Sequence, residues 1–248
     1  MNKTALITGG SRGIGRAIVL KLAEAGYNVI INYRSNSQQA ESLVKEINDK
    51  FKVKVLLVQA DISKNEEIEK LVKESLNHFQ KIDVLVNNAG ITRDNLLIRM
   101  KEEEWEEVLN TNFFSICYLT DLVVKEMQKT GQGKIINISS TSGVHGNAGQ
   151  SNYSTAKSAL LSYTKIKAKE LMPQIQINCI APGFVETDMT AGFDLAKMKE
   201  TKVGRAARPE DIANCALWLV QGGDYVTGQI VEVDGGLTLF SNMHELVG

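Results

Sequence analysis

Residues 134–171 read KIINISSTSGVHGNAGQSNYSTAKSALLSYTKIKAKEL and contain three patterns in succession. An apolar run at 135–138 ends at Ser139 and Ser140, and glycines follow at positions 143, 146 and 149. Residues 151–172 then contain neither glycine nor proline. Such a succession predicts a strand, a loop and a long helix, in that order.

Tyr153 and Lys157 lie four positions apart near the start of this predicted helix, so they share one helical face. A phenol has a pKa of about 10, and a fixed ammonium close to it favours the phenolate and lowers that pKa. Tyr153 is therefore a candidate general acid or base tuned by Lys157, and Ser140 could hold the substrate oxygen. Taken alone, however, the spacing is more often that of an amphipathic surface helix, where such pairs are common.

The composition of the whole chain limits the classes of protein to consider. The 28 basic and 29 acidic residues nearly cancel, which argues against a nucleic-acid or membrane-surface partner. A hydrophobic content of 43% is ordinary for a globular protein, and no apolar run reaches the roughly 20 residues of a membrane helix. Since there is no signal-peptide pattern or proline-rich linker, we expect a cytoplasmic protein with one domain over residues 1–248.

The cysteines Cys117, Cys179 and Cys215 stand far apart in apolar contexts. This pattern predicts buried thiols in a reducing compartment, because it has neither the density of a disulfide framework nor the spacing of a zinc site. We therefore expect no metal.

The N-terminal stretch contains a candidate phosphate-binding loop. Residues 4–8 form an apolar strand, GGSRGIG follows at 9–15, and a helical pattern continues to a stop at Gly26 before the next apolar strand at 28–32. Glycines allow the backbone to approach a pyrophosphate, and a helix N-terminus offers it free N–H groups. The spacing differs from G-x-G-x-x-G, and a plain strand-to-helix turn is the alternative, but the βαβ context predicts nucleotide binding.

The end of the second predicted strand indicates which dinucleotide is bound. NAD enzymes commonly place an acidic residue there to bind the ribose 2′-OH, whereas residues 31–34 are Ile-Asn-Tyr-Arg. Arg34 and Arg12 could instead pair with a 2′-phosphate, although both could also be solvated loop residues. The sequence therefore favours NADP over NAD.

Strands and helices continue to alternate along the chain. Further strands are predicted at 53–59, 82–86, 175–180 and 227–233, and further helices at 37–48, 64–79, 102–127 and 209–220. This alternation predicts an α/β fold with a doubly wound parallel sheet and helices on both faces. Residues 190–208 are charged and weakly periodic, and they fit a mobile lid, a loop or an ordinary helix equally well.

Polar residues follow two of these strands, where a doubly wound sheet binds its ligand. Asp61 and Ile62 follow the third strand, and N-N-A-G at 87–90 follows the fourth. Asn112 lies inside the predicted helix at 102–127, where asparagine is a mediocre helix former. It could bond a neighbouring backbone, face water, or hold a water that links Lys157 to solvent.

Together, these pieces resemble the short-chain dehydrogenase/reductase family over nearly the whole chain. The matching residues are T-G-G-S-R-G-I-G at 8–15, Asp61, N-N-A-G at 87–90, Asn112, Ser140, Y-S-T-A-K at 153–157 and P-G at 182–183. Within the family the chain is most similar to the 3-oxoacyl-[acyl-carrier-protein] reductases, through residues 87–97 and 182–189 and the V-T-G-Q and V-D-G-G near the end. The resemblance implies a single-domain Rossmann-type sheet of about seven strands in the order 3-2-1-4-5-6-7.

The resemblance also implies roles for individual residues. Tyr153 would donate a proton to the ketone oxygen, and Lys157 would lower the tyrosine pKa and bind the nicotinamide ribose. Ser140 would hold the substrate carbonyl, and Asn112 would support a proton relay through water. The residues implied to contact NADP(H) are Gly9, Ser11, Arg12, Gly13, Ile14, Arg34, Asp61, Ile62, Asn88, Ala89, Gly90, Tyr153, Lys157, Pro182, Gly183, Val185 and Thr187.

The implied reaction is the NADPH-dependent reduction of a 3-oxoacyl thioester on acyl carrier protein, in fatty acid biosynthesis, by a homotetramer. Its subunits would pack through the helices after strands four and five, where Phe113-Phe114 and Leu160-Leu161 fit either core or interface, and through the last helix and strand. The alternatives are an acetoacetyl-CoA reductase, a reductase of another small ketone, and a non-catalytic NADP-binding protein.

Three features depart from the pattern of the carrier-protein reductases. Many of these enzymes present arginines beside the active-site entrance, where this chain has Gly131 and Gln174. The loop at 171–175 is short and contains Pro173, and the tail at 237–248 is longer than usual. Positive charge for an acidic carrier could come from Lys129, Lys134, Lys167 and Lys169, although surface lysines are common.

Overall fold

The computed structural model describes residues 2–192, 201 and 203–239. Its strands are β1 (Thr4–Ile7), β2 (Asn28–Tyr33), β3 (Val55–Gln59), β4 (Val84–Asn87), β5 (Gly133–Ile138), β6 (Ile175–Pro182) and β7 (Ile230–Val233). All pair in parallel in one seven-stranded sheet of order β3-β2-β1-β4-β5-β6-β7. The predicted fold class and strand order are confirmed.

Helices cover both faces of the sheet. They are α1 (Gly13–Glu24), α2 (Ser37–Lys50), α3 (Asn65–Phe79), α4 (Glu102–Leu109), α5 (Ser115–Thr130), α6 (Thr141–His145), α7 (Ser151–Leu171) and α8 (Pro209–Gln221). No helix within the described ranges is both long and apolar enough to cross a bilayer.

The two hydrophobic layers follow from the period of two along each strand. Ala5 and Ile7 of β1 point to the layer that contains α1 and α8, and Leu6 points to the layer that contains α3, α5 and α7. All three side chains are fully buried. A buried Leu or Ile side chain contributes about 1.5–3 kcal/mol, so the alternating apolar strands hold the sheet between its helices.

The strand order places the candidate site. From β1 the chain adds β2 and β3 on one side and β4, β5, β6 and β7 on the other. Ile7 lies opposite both Ile31 and Val86, so the loops after β1, β2 and β4 start at the same level. The reversal of order beside β1 leaves a crevice at the carboxyl ends of the strands, the usual ligand site in such sheets.

The predicted helix at 102–127 is interrupted, and this prediction is corrected. α4 ends at Leu109, a π-helical turn spans Asn110–Phe114, and α5 then continues to Thr130. A π turn inserts an extra residue into the helix and is frequent at functional sites. Here it contains Asn112, one of the predicted catalytic residues.

The glycine-rich loop after β5 is also more regular than its composition indicates. Residues Thr141–His145 form the short helix α6, and the Ser140 side chain caps it by accepting a hydrogen bond from the Ser142 N–H (3.1 Å). The remaining predicted elements are present with boundaries shifted by up to three residues, the last strand beginning at Ile230 instead of 227. The peptide bond between Met172 and Pro173 is cis.

Two predictions fall partly outside the described residues. Of the proposed lid at 190–208, residues 193–200 and 202 are outside, and of the tail at 237–248, residues 240–248 are outside.

The three cysteines are free thiols, and burial raises the pKa of Cys117 and Cys215 to about 11 and of Cys179 to about 12. The prediction of buried thiols is confirmed for Cys179, whereas Cys117 and Cys215 are only partly buried.

Candidate active site

The end of β5 brings Ser140 and Lys157 together through α6. Ser140 caps α6, and Gly143 in its middle lies against the backbone of Lys157. A Cβ on Gly143 would sit 2.7 Å from the Lys157 carbonyl carbon, closer than packed atoms approach. The Ser139 hydroxyl also donates to the Lys157 carbonyl oxygen (2.9 Å). The carboxyl end of β5 and helix α7 are thus held in direct contact.

Tyr153 is oriented by its neighbour Asn152, which is fully buried. The Asn152 side-chain oxygen accepts from the Tyr153 N–H (2.7 Å), and its amide nitrogen donates to the carbonyl oxygens of Arg93 (2.9 Å) and Glu104 (3.1 Å). The first turn of α7 is therefore anchored to the loop after β4 and to α4. This anchor fixes the direction in which Tyr153 leaves the helix.

Lys157 carries an ammonium inside the protein, since only 3% of the residue is exposed. Its Nζ donates to the carbonyl oxygen of Ile138 (2.8 Å) and lies 5.8 Å from the centre of the Tyr153 ring. The bond to Ile138 at the end of β5 satisfies one of its three donors. The remaining donors are available to a substrate or cofactor hydroxyl.

Burial moves the pKa values of these two groups in opposite directions. Desolvation raises the pKa of Tyr153 to about 12; a hydrogen bond with Ser140 opposes this rise and the charge of Asp94 adds to it. Desolvation lowers the pKa of Lys157 to about 8. The sequence predicted a lowered tyrosine pKa, whereas desolvation of the phenolate raises it overall in this structure. At neutral pH the tyrosine keeps its proton and most of the lysine is charged.

Asn112 bonds a neighbouring backbone, which is one of the alternatives left open by the sequence. Its side-chain oxygen accepts from the Ile91 N–H (2.9 Å) and its nitrogen donates to the Ile91 carbonyl (2.8 Å). The residue is 0% exposed, so it does not face water. A Cβ on Gly90 would lie 3.0 Å from the Asn112 oxygen and 3.5 Å from the Lys157 Nζ. The glycine at this point therefore lets the loop after β4 pass between Asn112 and Lys157.

The glycine-rich turn after β1 is shaped for close backbone approach. Gly9 adopts φ +60°, which favours glycine, and a Cβ on Gly15 would lie 2.3 Å from the Gly9 carbonyl oxygen. The turn leads directly into the N-terminus of α1, where free N–H groups and the helix dipole favour an anion.

The loop after β4 locks this turn in place. The Asn88 side-chain nitrogen donates to the carbonyl oxygens of Thr8 (2.9 Å) and Gly9 (3.2 Å). The Thr8 hydroxyl in return accepts from the N–H groups of Asn88 (3.0 Å) and Ala89 (3.1 Å). The predicted cofactor residues on β1 and β4 therefore form one hydrogen-bonded unit at the crevice.

The charged residues predicted to bind a 2′-phosphate lie at the exposed end of the same crevice. Arg12 and Arg34 are both exposed at the ends of β1 and β2. Burial alone would raise the pKa of Asp61, but hydrogen bonds from Ser63 and the charge of Arg34 lower it overall. Asp61 therefore remains an anion beside Arg34, and Ile62 next to it is buried.

The loop after β6 closes the crevice from the other side. Pro182 ends β6, and a Cβ on Gly183 would lie 2.9 Å from the Cβ of Asp234, so glycine is needed for the approach to β7. The side chain of Val185 is buried in the core. Thr187 approaches the glycine-rich turn: a Cβ on Gly13 would lie 3.4 Å from its Cγ2.

These residues fit a phosphorylated dinucleotide. The turn presents a helix N-terminus behind glycines, Arg12 lies in that turn and Arg34 follows β2, and no acidic residue ends β2. Most of the predicted cofactor residues, Ser11 among them, lie at the carboxyl ends of the strands or in the loops that follow them. The others lie in helices: Gly13 and Ile14 in the first turn of α1, and Tyr153 and Lys157 in α7. Among the described residues, no three His, Cys, Asp or Glu side chains are grouped as metal ligands.

Gly131 and Gln174, which occupy the places of the entrance arginines in many carrier-protein reductases, lie away from Ser140 within the chain. The Gly133 N–H donates to the Gln174 carbonyl (3.3 Å), and both Gly131 and Gln174 precede the amino ends of their strands. β5 has six residues, so it separates them from Ser140 by about 20 Å.

The four candidate carrier-binding lysines lie at the same remote edge, on the last turns of α5 and α7 and at the start of β5. Three of them are paired with acids: Lys129 with Glu126 (2.7 Å), Lys134 with Asp224 (2.6 Å), and Lys167 with Asp121 (3.5 Å) and Glu170 (3.0 Å). These pairs cancel most of the positive charge that an acidic carrier would need.

The sequence did not indicate the role of four residues that hold the site together: Thr8, Asn32, Gly143 and Asn152. The Asn32 side chain accepts from the Gly9 N–H (3.3 Å) and donates to the Ala60 carbonyl (2.9 Å), and so joins the loops after β1, β2 and β3. A polar residue inside an apolar strand was the available signal for Asn32. The position next to Tyr153 was the signal for Asn152.

Comparison with known proteins agrees with this geometry. Residues 3–197 match the family model of the short chain dehydrogenases. Over 243 residues, 96% of this chain, the sequence is 43% identical to the 3-oxoacyl-[acyl-carrier-protein] reductase of Staphylococcus epidermidis, of which 99% is covered. It is 44% identical to the protein of the same name from Chlamydia muridarum and 43% identical to that from Staphylococcus aureus, each over 96% of this chain and 98% of the relative.

Proposed function

The chain belongs to the short-chain dehydrogenase family, and we propose that it reduces a 3-oxoacyl thioester carried by acyl carrier protein, with NADPH as cofactor. The product is the 3-hydroxyacyl thioester of fatty acid biosynthesis. The observation that carries the proposal is the placement of Ser140, Tyr153 and the buried Lys157 at the same sheet edge as the glycine-rich turn. The names of the relatives supply the substrate.

The cofactor residues divide the dinucleotide between them. The α1 N-terminus and Gly13 would hold the pyrophosphate, Arg12 and Arg34 would hold the 2′-phosphate, and Lys157 would bind the nicotinamide ribose. When bound, NADPH supplies the hydride that reduces C3 of the substrate. The role of the protein is to orient this cofactor and to manage the proton.

Tyr153 donates that proton. Its pKa of about 12 keeps the phenol protonated at neutral pH, and its hydrogen-bond partner Ser140 binds the same carbonyl oxygen. As the O–H bond of Tyr153 breaks and the substrate O–H bond forms, a phenolate is left. The Lys157 ammonium stabilises this phenolate, and a proton from solvent restores the phenol.

Asn112 takes a positioning role in this proposal. Both ends of its side-chain amide are bonded to Ile91 and hold the loop after β4 beside Lys157. The set of Ser140, Tyr153 and Lys157 argues against a non-catalytic NADP-binding protein, because cofactor binding alone needs no proton donor beside a group that holds a carbonyl.

The paired lysines favour one alternative substrate. A carrier protein with an acidic surface needs a basic patch, whereas coenzyme A needs only a phosphate pocket. Because Lys129, Lys134 and Lys167 are paired with acids at the remote edge, acetoacetyl-CoA is the second candidate.

A direct rate comparison tests the proposal and separates the two substrates. NADPH oxidation is followed by absorbance with acetoacetyl-acyl-carrier-protein and with acetoacetyl-CoA at matched concentrations. A much higher kcat/KM with the carrier protein is expected. Equal or higher values with acetoacetyl-CoA would favour the second candidate, and turnover of neither would contradict a thioester reductase.

We further propose a cytoplasmic homotetramer in which residues 1–248 form one domain. Phe114, at the π turn before α5, is 58% exposed and Ile166 on α7 is 54% exposed, whereas Leu160 is fully buried in the core. An exposed phenylalanine and isoleucine on adjacent helices suit a subunit interface. Light scattering coupled to size exclusion should report four chains for the protein and a smaller assembly for Phe114→Glu.

A further inference from the structure

Two loops face each other across the proposed cofactor crevice. The glycine-rich turn carries Arg12, and the loop after β6 carries Asp188, which opens a 3₁₀ turn spanning Asp188–Thr190. An Arg12 nitrogen, Nη1, lies 3.4 Å from the Asp188 oxygen Oδ2. The gap beside this pair is narrow, since a Cβ on Gly13 would lie 3.4 Å from Thr187.

Asp188 is presented by an ordered turn. The Thr190 hydroxyl oxygen accepts from the Thr187 N–H (3.1 Å) and donates to the Val185 carbonyl oxygen (2.5 Å). These bonds hold the turn against the end of β6. The carboxylate therefore has a defined position opposite Arg12, on an element that packs into the core through Val185.

The partner of Arg12 matters because this arginine is one of the two proposed to hold the 2′-phosphate. A guanidinium that is paired with a carboxylate must exchange that partner before it binds a phosphate. NADH has no 2′-phosphate, so it makes no such demand on Arg12. When only a fraction of the protein molecules are in the state that can bind a ligand, the apparent affinity for that ligand is reduced by that fraction.

We propose that Asp188 is a cofactor-selectivity residue, whose carboxylate competes with the 2′-phosphate of NADPH for Arg12. The proposal rests on the NADPH specificity proposed above. Asp188 thereby lowers the affinity for NADPH and leaves the affinity for NADH unchanged. It also links the loop after β6 to the occupancy of the phosphate site, because NADPH releases that loop from the glycine-rich turn.

The expected effect is modest and depends on salt. About two thirds of each side chain is exposed (67%), and exposed ion pairs are weak, so removing the carboxylate should tighten NADPH binding about 1.5- to 5-fold. Screening lengths fall from about 30 Å at 0.01 M to about 8 Å at 0.15 M ionic strength, so the difference should be larger at low salt.

Calorimetric titration of the full-length protein with NADPH and with NADH tests the proposal. Asp188→Asn should lower the Kd for NADPH and leave that for NADH unchanged. Glu186→Gln is the matched control, since Glu186 is a neighbouring exposed carboxylate whose charge acts on Arg205. In an Arg12→Ala background, Asp188→Asn should have no effect.

Three results would overturn the proposal: equal changes for both cofactors, an effect that persists without Arg12, or the same effect from Glu186→Gln. If the wild-type protein binds NADPH but Asp188→Asn leaves the Kd for NADPH unchanged, only this inference is contradicted. Wild-type protein that binds NADPH no more tightly than NADH contradicts the proposed cofactor as well.

Discussion

The surroundings of Lys157 and of Arg12 differ, although both residues lie at the same edge of the sheet. Lys157 is 3% exposed and its ammonium bonds a main-chain carbonyl, whereas Arg12 is exposed and pairs with the carboxylate of Asp188. Water and salt screen the electrostatic interactions of a buried charge only weakly, whereas they screen those of an exposed charge strongly. The catalytic end should therefore respond to small changes of geometry, and the phosphate end to charge and salt.

The largest expected effect is at the buried end. Tyr153→Phe removes the proposed proton donor but little volume, so kcat should fall about 10²- to 10⁴-fold while NADPH binding is nearly unchanged. Steady-state kinetics and calorimetric titration measure the two quantities. Tyr163→Phe, on the same helix, is the control and should keep wild-type turnover. Normal turnover by Tyr153→Phe would end the proposed mechanism.

A second change tests whether packing holds the buried end. Gly143→Ala places a Cβ 2.7 Å from the Lys157 backbone and should lower the free energy of unfolding by about 1–3 kcal/mol, since α6 must move away from α7. Chemical denaturation measures this change. Gly192→Ala is the control because no atom of the residues that the structure describes lies within 4 Å of its Cβ. Equal stability of both variants would mean that α6 is loosely packed.

The exposed end is tested by removing its charges. Arg12→Ala combined with Arg34→Ala should raise the Kd for NADPH about 10- to 100-fold and change that for NADH much less, since only NADPH carries the 2′-phosphate. Fluorescence titration with both cofactors measures the ratio. Lys21→Ala, at the other end of α1, controls for loss of positive charge. Equal weakening of both cofactors would show that the phosphate assignment is wrong.

The pH dependence of kcat/KM should report the charge of Lys157 at the buried end. Lys157 has a pKa of about 8, below its ordinary value, so its charge is present below pH 8 and lost as pH rises through 8. The neutral amine cannot stabilise the phenolate, and kcat/KM should fall about tenfold per unit above that pH. Lys157→Arg keeps the charge and should remove this decline. A flat profile to pH 10 would contradict the assignment.

Much of the fold was predictable because its signals are local. Apolar runs, helical periodicity and glycines indicated each strand and nearly every helix, and their alternation indicated a parallel sheet. The carboxyl-edge rule then placed Asn88, Ser140 and Tyr153 near one another before any contact was known. The π turn at Asn112 and the short helix α6 were missed, since a hydrogen bond to Ile91 and packing of Gly143 on Lys157 decide them.

Local patterns in the sequence indicate which groups this protein has available: a glycine-rich turn, two arginines without an acid on β2, and a Ser–Tyr–Lys set on one strand–helix unit. How those groups behave depends on the folded chain. It raised the pKa of Tyr153 where the spacing to Lys157 predicted a decrease, paired Arg12 with Asp188, and placed Gly131 far from Ser140. The physical reason is that desolvation and ion pairing depend on residues distant in the chain, which local patterns do not encode.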